Sequence, residues 1–357
     1  MNLALRPVCA AIVLFATGLG SACAQSFGPW SDPVAVTDIN TAAAEGCPIE
    51  APDGLGLYFA SSRSGGLGKQ DVWRAFRATK QSAWGTAQNL AAPVNSPEFD
   101  YCPTPISGNR LLFVSSQQTA DDCYPGNTPP TPAPGAPADG DIFLSTETGS
   151  NTWSAPVNLG CFAAGDPNSG PNTAGAEFSP SLVTTSAGTF LFFSSNGYPD
   201  SQGQDIYMST MRTNGTFGPG VRVNELSTAS DDRMPNVRSD GLEVVFSSNR
   251  GGNMDIYTAT RSSIGSTWSA PQPIANPNIN TAGSETRSSL SADGTRLYFG
   301  RKVDSTDPGD VFVATRARLQ DAVMSPTPAL GWPLLALLAV LLGTSAWFGR
   351  WYAARKS

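Results

Sequence analysis

Phe246-Ser247-Ser248-Asn249-Arg250-Gly251-Gly252-Asn253-Met254-Asp255-Ile256-Tyr257 is the stretch from which the rest of the chain becomes readable. An apolar strand ends at Phe246 and turns small and polar. A Gly-rich stretch then reverses the chain, and Asp255 opens a second strand of period two. The same order recurs five times between Glu45 and Arg316, at a spacing of about 55 residues. In copies one, four and five it is preceded by Asp53-Gly54, Asp240-Gly241 or Asp293-Gly294 and an apolar strand ending in Phe59, Phe246 or Phe299. Those copies continue into Asp71-Val72-Trp73, Asp255-Ile256-Tyr257 and Asp310-Val311-Phe312. Copies two and three keep Asp141-Ile142-Phe143 and Asp205-Ile206-Tyr207 behind weaker turns, Gly108-Asn109 and Ser186-Ala187-Gly188.

Asp-Gly pairs supply tight turns between strands, and a repeat of this length made of short strands predicts one four-stranded blade per copy. The fourth strand is announced by an aromatic residue: Trp84, Trp153-Ser154-Ala155-Pro156, Phe217 and Trp268-Ser269-Ala270-Pro271. The fifth copy lacks it, and the missing piece stands at the other end of the chain as Trp30-Ser31-Asp32-Pro33-Val34. Since an open edge between first and last blades is a liability, the expected fold is all-β: a five-bladed β-propeller over residues 25–318, closed by an N-terminal strand.

Ser291-Ala292-Asp293-Gly294 through Tyr298-Phe299, and Phe246 through Tyr257, make the pattern similar to the WD-like repeat of TolB-type periplasmic propellers. The resemblance covers roughly residues 27–316. It implies the fold, and binding or scaffolding as the usual use of such propellers, but not a particular ligand.

The termini predict export. Residues 1–24 hold Arg6, an apolar run from Val8 to Leu19 and Ala22-Cys23-Ala24, an Ala-x-Ala cleavage site of a secretory signal; a lipoprotein reading at Cys23 is the alternative. After a linker at 319–328, residues 329–349 are apolar enough for a transmembrane helix, and the 350–357 tail carries Arg350, Arg355 and Lys356. Two readings stay open. One is a permanent inner-membrane anchor with the propeller outside the cytoplasm. The other is a sorting signal cut by an exosortase- or rhomboid-like protease, which Pro326-Thr327-Pro328-Ala329-Leu330-Gly331-Trp332 resembles and which would release the protein to the surface or medium.

Of the 22 basic residues, four (Arg6, Arg350, Arg355, Lys356) lie in these termini, leaving 18 against 29 acidic ones. So acidic a body argues against nucleic acid as a partner. Four cysteines follow the signal: Cys47, Cys102, Cys123 and Cys161. Cys47 and Cys102 hold the same repeat position in adjacent blades, and Cys123 and Cys161 border two insertions, so the expected bridges are Cys47–Cys102 and Cys123–Cys161 among three possible connectivities.

The chain contains no histidine, which excludes Ser-His-Asp, Cys-His and His-ligated metal chemistry. Carboxylates are what remains. Glu45, Asp100, Glu177, Asp232 and Glu285 each begin the innermost strand of a blade and should ring one mouth of the central channel. Such a ring could recruit a hard cation such as calcium, or each acid could bond the backbone of its own blade. A second set, Asp71, Asp141, Asp205, Asp255 and Asp310, is expected to bond turn N–H groups. The mouth face also carries insertions Gln118–Asp139 and Phe162–Ala176, together with Arg63, Arg250 and, loosely equivalent, Arg301. The five ring acids, with Arg63 and Arg250, are the candidate ligand-facing residues. The expected function is a non-catalytic module binding an envelope or extracellular protein or glycan through that face. The alternative is a carboxylate-dependent glycoside hydrolase of the five-bladed arabinanase type.

Overall fold

The computed structural model describes residues 26–117, 123 and 140–319. The expected signal, most of the first insertion, the linker, the membrane helix and the basic tail lie outside the described residues. Among the described residues no helix is long and apolar enough to cross a membrane.

Five antiparallel sheets form the ring. Blade one runs Glu45–Glu50, Gly56–Ser61, Asp71–Phe76, Gln88–Asn89; blade three runs Glu177–Thr185, Gly188–Ser195, Asp205–Thr210, Val221–Arg222. Blade four is Asp232–Val237, Glu243–Ser248, Asp255–Thr260, Gln272–Pro273. Blade two is Asp100–Ile106, Arg110–Ser115 and Asp141–Gly149, with two short outer pieces, Thr152–Trp153 and Val157–Asn158, both paired to the third strand. In blade five, Ser284–Leu290, Arg296–Lys302 and Asp310–Thr315 are completed by Val34–Ala35 from the N-terminus, Val34 opposite Val313 and Ala35 opposite Phe312. The ring closes as expected. Ser26–Phe27 adds a second clasp by pairing with Arg318–Leu319.

The second strand of each blade shows why this sequence folds this way. Its successive side chains point to opposite faces, and both faces are covered by neighbouring blades. Leu57 and Phe59 join the apolar cluster shared with blade five, while Tyr58 joins that shared with blade two. Leu297 and Phe299 face blade four, and Tyr298 faces blade one. The core is therefore a set of apolar wedges between blades, and the continuous apolar runs of these strands follow from burial on both sides. Both expected disulfides are present: Cys47–Cys102 with Cα atoms 4.8 Å apart, and Cys123–Cys161 at 5.2 Å.

The outer strand begins four residues after its aromatic in every blade, at Val34, Gln88, Val157, Val221 and Gln272. The aromatic itself packs as core: Trp84, Trp153, Phe217 and Trp268 are buried, and Trp30 is partly buried against the blade four–five wedge.

Candidate functional site

The five ring carboxylates share one local construction that the sequence reading overlooked. Each closes a motif of Asn or Ser, then Thr or Ser, then three residues, then the acid: Asn40-Thr41 to Glu45, Asn95-Ser96 to Asp100, Asn172-Thr173 to Glu177, Ser227-Thr228 to Asp232, Asn280-Thr281 to Glu285. The second residue donates both its backbone N–H and its hydroxyl to the carboxylate, as in Thr173 N–H and Oγ1 to Glu177 at 3.1 and 2.6 Å and in Thr281 to Glu285 at 3.0 and 2.6 Å. The first residue clamps the third strand of the preceding blade: Asn172 takes Ile142 N–H at 3.0 Å and donates to its carbonyl at 3.0 Å. All five acids are buried. They fasten the loop that joins blades, and the geometry is that of the hydrogen-bonded alternative, not of a carboxylate ring open to a ligand.

Arg63, Arg250 and Arg301 complete this fastening in three blades. Arg63 reaches Glu45 at 2.9 Å and the Ile39 carbonyl at 2.6 Å. Arg250 reaches Asp232 at 2.5 Å and the Leu226 carbonyl at 2.7 Å. Arg301 stands two residues earlier, opposite Glu285 where the other blades have serine, yet makes the same pair of bonds, to Glu285 at 2.9 Å and to the Ile279 carbonyl at 2.9 Å. Each also lies over its own blade's aromatics, Arg63 over Phe59 and Trp73. These cations are bolts with little capacity left for a ligand.

Blades two and three have Gln117 and Gly197 at the position of Arg63. With no cation beside them, Asp100 is pushed up to about 6 by burial, and burial together with Asp141 holds Glu177 well above the usual carboxylate range.

Among the described residues there is no group of three or more carboxylates and cysteines arranged to hold a metal, so the calcium expectation finds no support in the ring. The insertion Phe162–Ala176 is tied down: Phe162 packs on Tyr198 with ring centres 4.6 Å apart, and Arg212, beyond the third strand of blade three, takes the carbonyls of Pro167 and Ser169 at 2.6 and 2.8 Å. It leans over that blade's outer side. Gln118–Asp139 lies outside the described residues except for Cys123.

What the mouth face does hold is a cavity of about 390 Å³ over the channel, bordered by blades one, four and five. Gln70, Phe99, Ser62, Ser284 and Thr286 line it, Glu45 is the one carboxylate on its wall, and five cations surround it: Lys69, Arg233, Arg287, Arg301 and Lys302. Pro308 and Gly309 form its edge, and next to them stands Asp310.

Asp310 breaks the symmetry of the second acid set. Asp71 accepts from the N–H groups of Leu67 and Gly68 and from Asn89. Asp205 accepts from Gln202 N–H and pairs with Arg222, and Asp255 takes Asn253. In blade five the turn brings its own Asp307, which accepts from Val303 and Gly309 N–H at 2.7 and 2.9 Å. Relieved of that task, the half-buried Asp310 carboxyl has no hydrogen bond to a described residue, and burial, Glu45 and Asp307 raise its pKa. The sequence reading gave all five members of this set one structural role. For Asp310 that is corrected.

No protein-family profile matches the sequence, and no curated protein matches it. Solved structures do. The catalytic domain of a GH62 α-L-arabinofuranosidase from Coprinopsis cinerea matches with a TM-score of 0.51 at 15% identity, over 82% of this chain and 96% of that one. An α-L-arabinofuranosidase from Lactobacillus brevis matches at 0.52 and 14% identity, over 81% and 95%. TolB from Acinetobacter baumannii, at a TM-score of 0.38, 14% identity, and 77% and 53% coverage, is too loose a likeness to argue from. At such identities the likeness is one of fold. Both of these structures are of α-L-arabinofuranosidases, so the expectation of a non-enzyme is corrected: the fold comparison does not carry it.

Proposed function

We propose that the chain is an exported, carboxylate-dependent glycoside hydrolase whose substrate occupies the channel mouth of the insertion-bearing face. The observation that carries this reading is Asp310. It is a carboxyl with a raised pKa beside a concave polar cavity, free of the hydrogen bonds that bind its four counterparts, and close enough to Glu45 for that group's charge to raise it. Glycosidic cleavage needs one carboxyl kept protonated and one kept ionised, a division made by environment. Asp310 fills the first role as general acid. Glu45, fastened by Thr41 and Arg63, is the neighbour whose charge helps to raise Asp310.

The test is a screen of polysaccharides and oligosaccharides for released reducing ends, followed by Asp310→Asn on any substrate found. The variant should lose at least about 100-fold in kcat with an unchanged melting temperature, because Asp310 fastens nothing. Turnover by the wild type should fall as pH rises through the Asp310 pKa, since the acid must hold its proton. An Asp310→Asn protein that turns over normally removes Asp310 from the chemistry, and a wild type that binds glycans but cleaves none ends the hydrolase reading.

A further inference from the structure

The innermost strand of every blade carries a bulge at one repeat position. Cys47, Cys102, Ser179, Met234 and Arg287 each stand two residues after a ring acid and adopt φ of 49°, 47°, 46°, 60° and 60°. The register shifts at the same place in all five sheets. These residues meet at the axis: Cys47 bonds Cys102, the Ser179 hydroxyl lies 3.1 Å from Cys102 Sγ, and Met234 lines the cavity with Arg287. Four of the five are neutral. The fifth is a guanidinium.

Arg287 is half-buried, and its side chain makes no ion pair or hydrogen bond with a described residue. Burial lowers its pKa from the ordinary arginine value. Room for it is left across the channel by Gly46, where a Cβ would come within 2.6 Å of Arg287 Nη1; the other blades carry Tyr101, Phe178, Arg233 and Thr286 there. The neighbouring cations differ in how far they are already satisfied. Lys69 pairs with Glu98, Arg233 with Asp231 and Arg301 with Glu285, all within 2.9 Å, whereas Lys302 has no ion-pair partner among the described residues. A chain of net charge −7 thus concentrates positive charge on one cavity and leaves its deepest cation unneutralised. An uncompensated charge in such a place is costly, and the group that relieves it is an anion entering from the mouth.

We infer that Arg287 is the specificity residue of an oxyanion subsite at the channel mouth, with Lys302 at its rim, and that the ligand is an acidic glycan whose uronate carboxylate reaches the guanidinium. The planar fork of arginine suits a carboxylate held by two parallel hydrogen bonds. Ser62, Ser284, Thr286 and Gln70 offer partners for sugar hydroxyls, and Phe99 offers an apolar face. The inference rests on the glycan reading above and narrows it to uronate-bearing substrates.

Calorimetric binding to the full chain separates the possibilities, using a galacturonate trisaccharide, a neutral galactose trisaccharide of the same linkage, and sodium sulfate alone. The acidic trisaccharide should bind at least about 10-fold more tightly than either of the others. Arg287→Gln should remove that preference, and Arg287→Lys should restore part of it. Without ligand, Arg287→Gln should melt no lower than the wild type, because it deletes an unpaired charge; a lower melting temperature would show that Arg287 serves packing and would overturn the assignment. Equal binding of acidic and neutral sugars, or of acidic sugar by wild type and Arg287→Gln, also overturns it. Sulfate binding as tightly as the trisaccharide would leave an anion site with no glycan. Binding is read apart from turnover: Arg287-dependent capture of the uronate without cleavage rejects the hydrolase and keeps the subsite, while cleavage of neutral glycans indifferent to Arg287 does the reverse.

Discussion

The half of the ring made by blades four, five and one pairs each ring acid with an arginine; the half made by blades two and three does not, and both disulfides reach into it. At the seam, Glu50 receives Arg77 at 2.8 Å and, from the neighbouring blade, Arg296 at 2.6 Å. Glu243 takes Arg238 and, from blade five, Arg316. Arg316 lies over Phe27 and Trp30, so the closing segment is gripped by the same network. The other half has no arginine beside its ring acids. It has the bridges from Cys47 to Cys102 and from Cys123 to Cys161, and the stacked Tyr198–Tyr207 pair, centres 4.2 Å apart. Identical folds of the repeat thus tolerate quite different fastenings, and the mouth cavity borders on the charged half. The lesson is that blade five, whose borrowed outer strand has no connecting loop to the strand it pairs with, is where directional ion pairs have the most to hold.

The largest way to break this comparison is to remove residues 26–36. That deletes the outer strand of blade five and the packing of Phe27, Trp30 and Val36, and should lower unfolding free energy by about 5 kcal/mol or more, at roughly 1.5–3 kcal/mol per large apolar side chain. Denaturant melts read it; an unchanged midpoint would mean that the seam does not depend on the borrowed strand. Glu50→Ala comes next. It strands two buried guanidinium groups and should lose about 3–5 kcal/mol, and a loss under about 1 kcal/mol would demote charge as the seam's fastening. Replacing Cys123 and Cys161 by serine should lose about 2–4 kcal/mol. Hydrogen exchange should place the loosening in blades two and three, and equal loosening at the seam would erase the distinction between the halves.

The smallest effect sharpens the comparison through pH. Burial pushes Asp100 up to about 6, and burial with Asp141 holds Glu177 well above the usual carboxylate range, so the folded state holds their protons more tightly than the unfolded chain does. Their contribution is complete below about pH 4 and is lost as pH rises through the folded pKa, at up to about 1.4 kcal/mol per pH unit for each group. Asp100→Asn should flatten the decline between about pH 4 and pH 6. A variant as pH-sensitive as the wild type would show that the missing arginine has no electrostatic consequence.

The repeat made the fold legible, because five agreeing copies expose both strand periodicity and the missing fourth strand. Cys47–Cys102 was legible for the same reason, since equal repeat positions in adjacent blades are neighbours at the axis, and Cys123–Cys161 because both border insertions on one face. The roles of the acids were not. Glu45 and its counterparts look like a ligand ring until one sees that Thr41 and its equivalents, four residues earlier, consume their oxygens; the recurring Asn-Thr pair was the available signal. Asp310 looks like Asp71 in one dimension, and only the turn geometry shows Asp307 taking its place. Arg287 carried a weaker clue: it is the single charge at a repeat position held elsewhere by cysteine, serine and methionine, the position that the Cys47–Cys102 pairing sets at the axis.

The bulge repeated in every innermost strand separates the identity of the pore lining from the integrity of the sheets. Left-handed backbone at a residue other than glycine costs on the order of 1 kcal/mol or more, and the five sites bear that cost independently of which side chain they carry. Outside the Cys47–Cys102 bridge their substituents project where no ladder partner constrains them, so they can be exchanged one at a time, like interchangeable tips on a fixed holder. A small change at Ser179 or Met234 would rewrite the chemistry of the axis while leaving all five blades paired as before. The chemistry of the axis in this architecture can therefore drift by single substitutions while the blades stay paired.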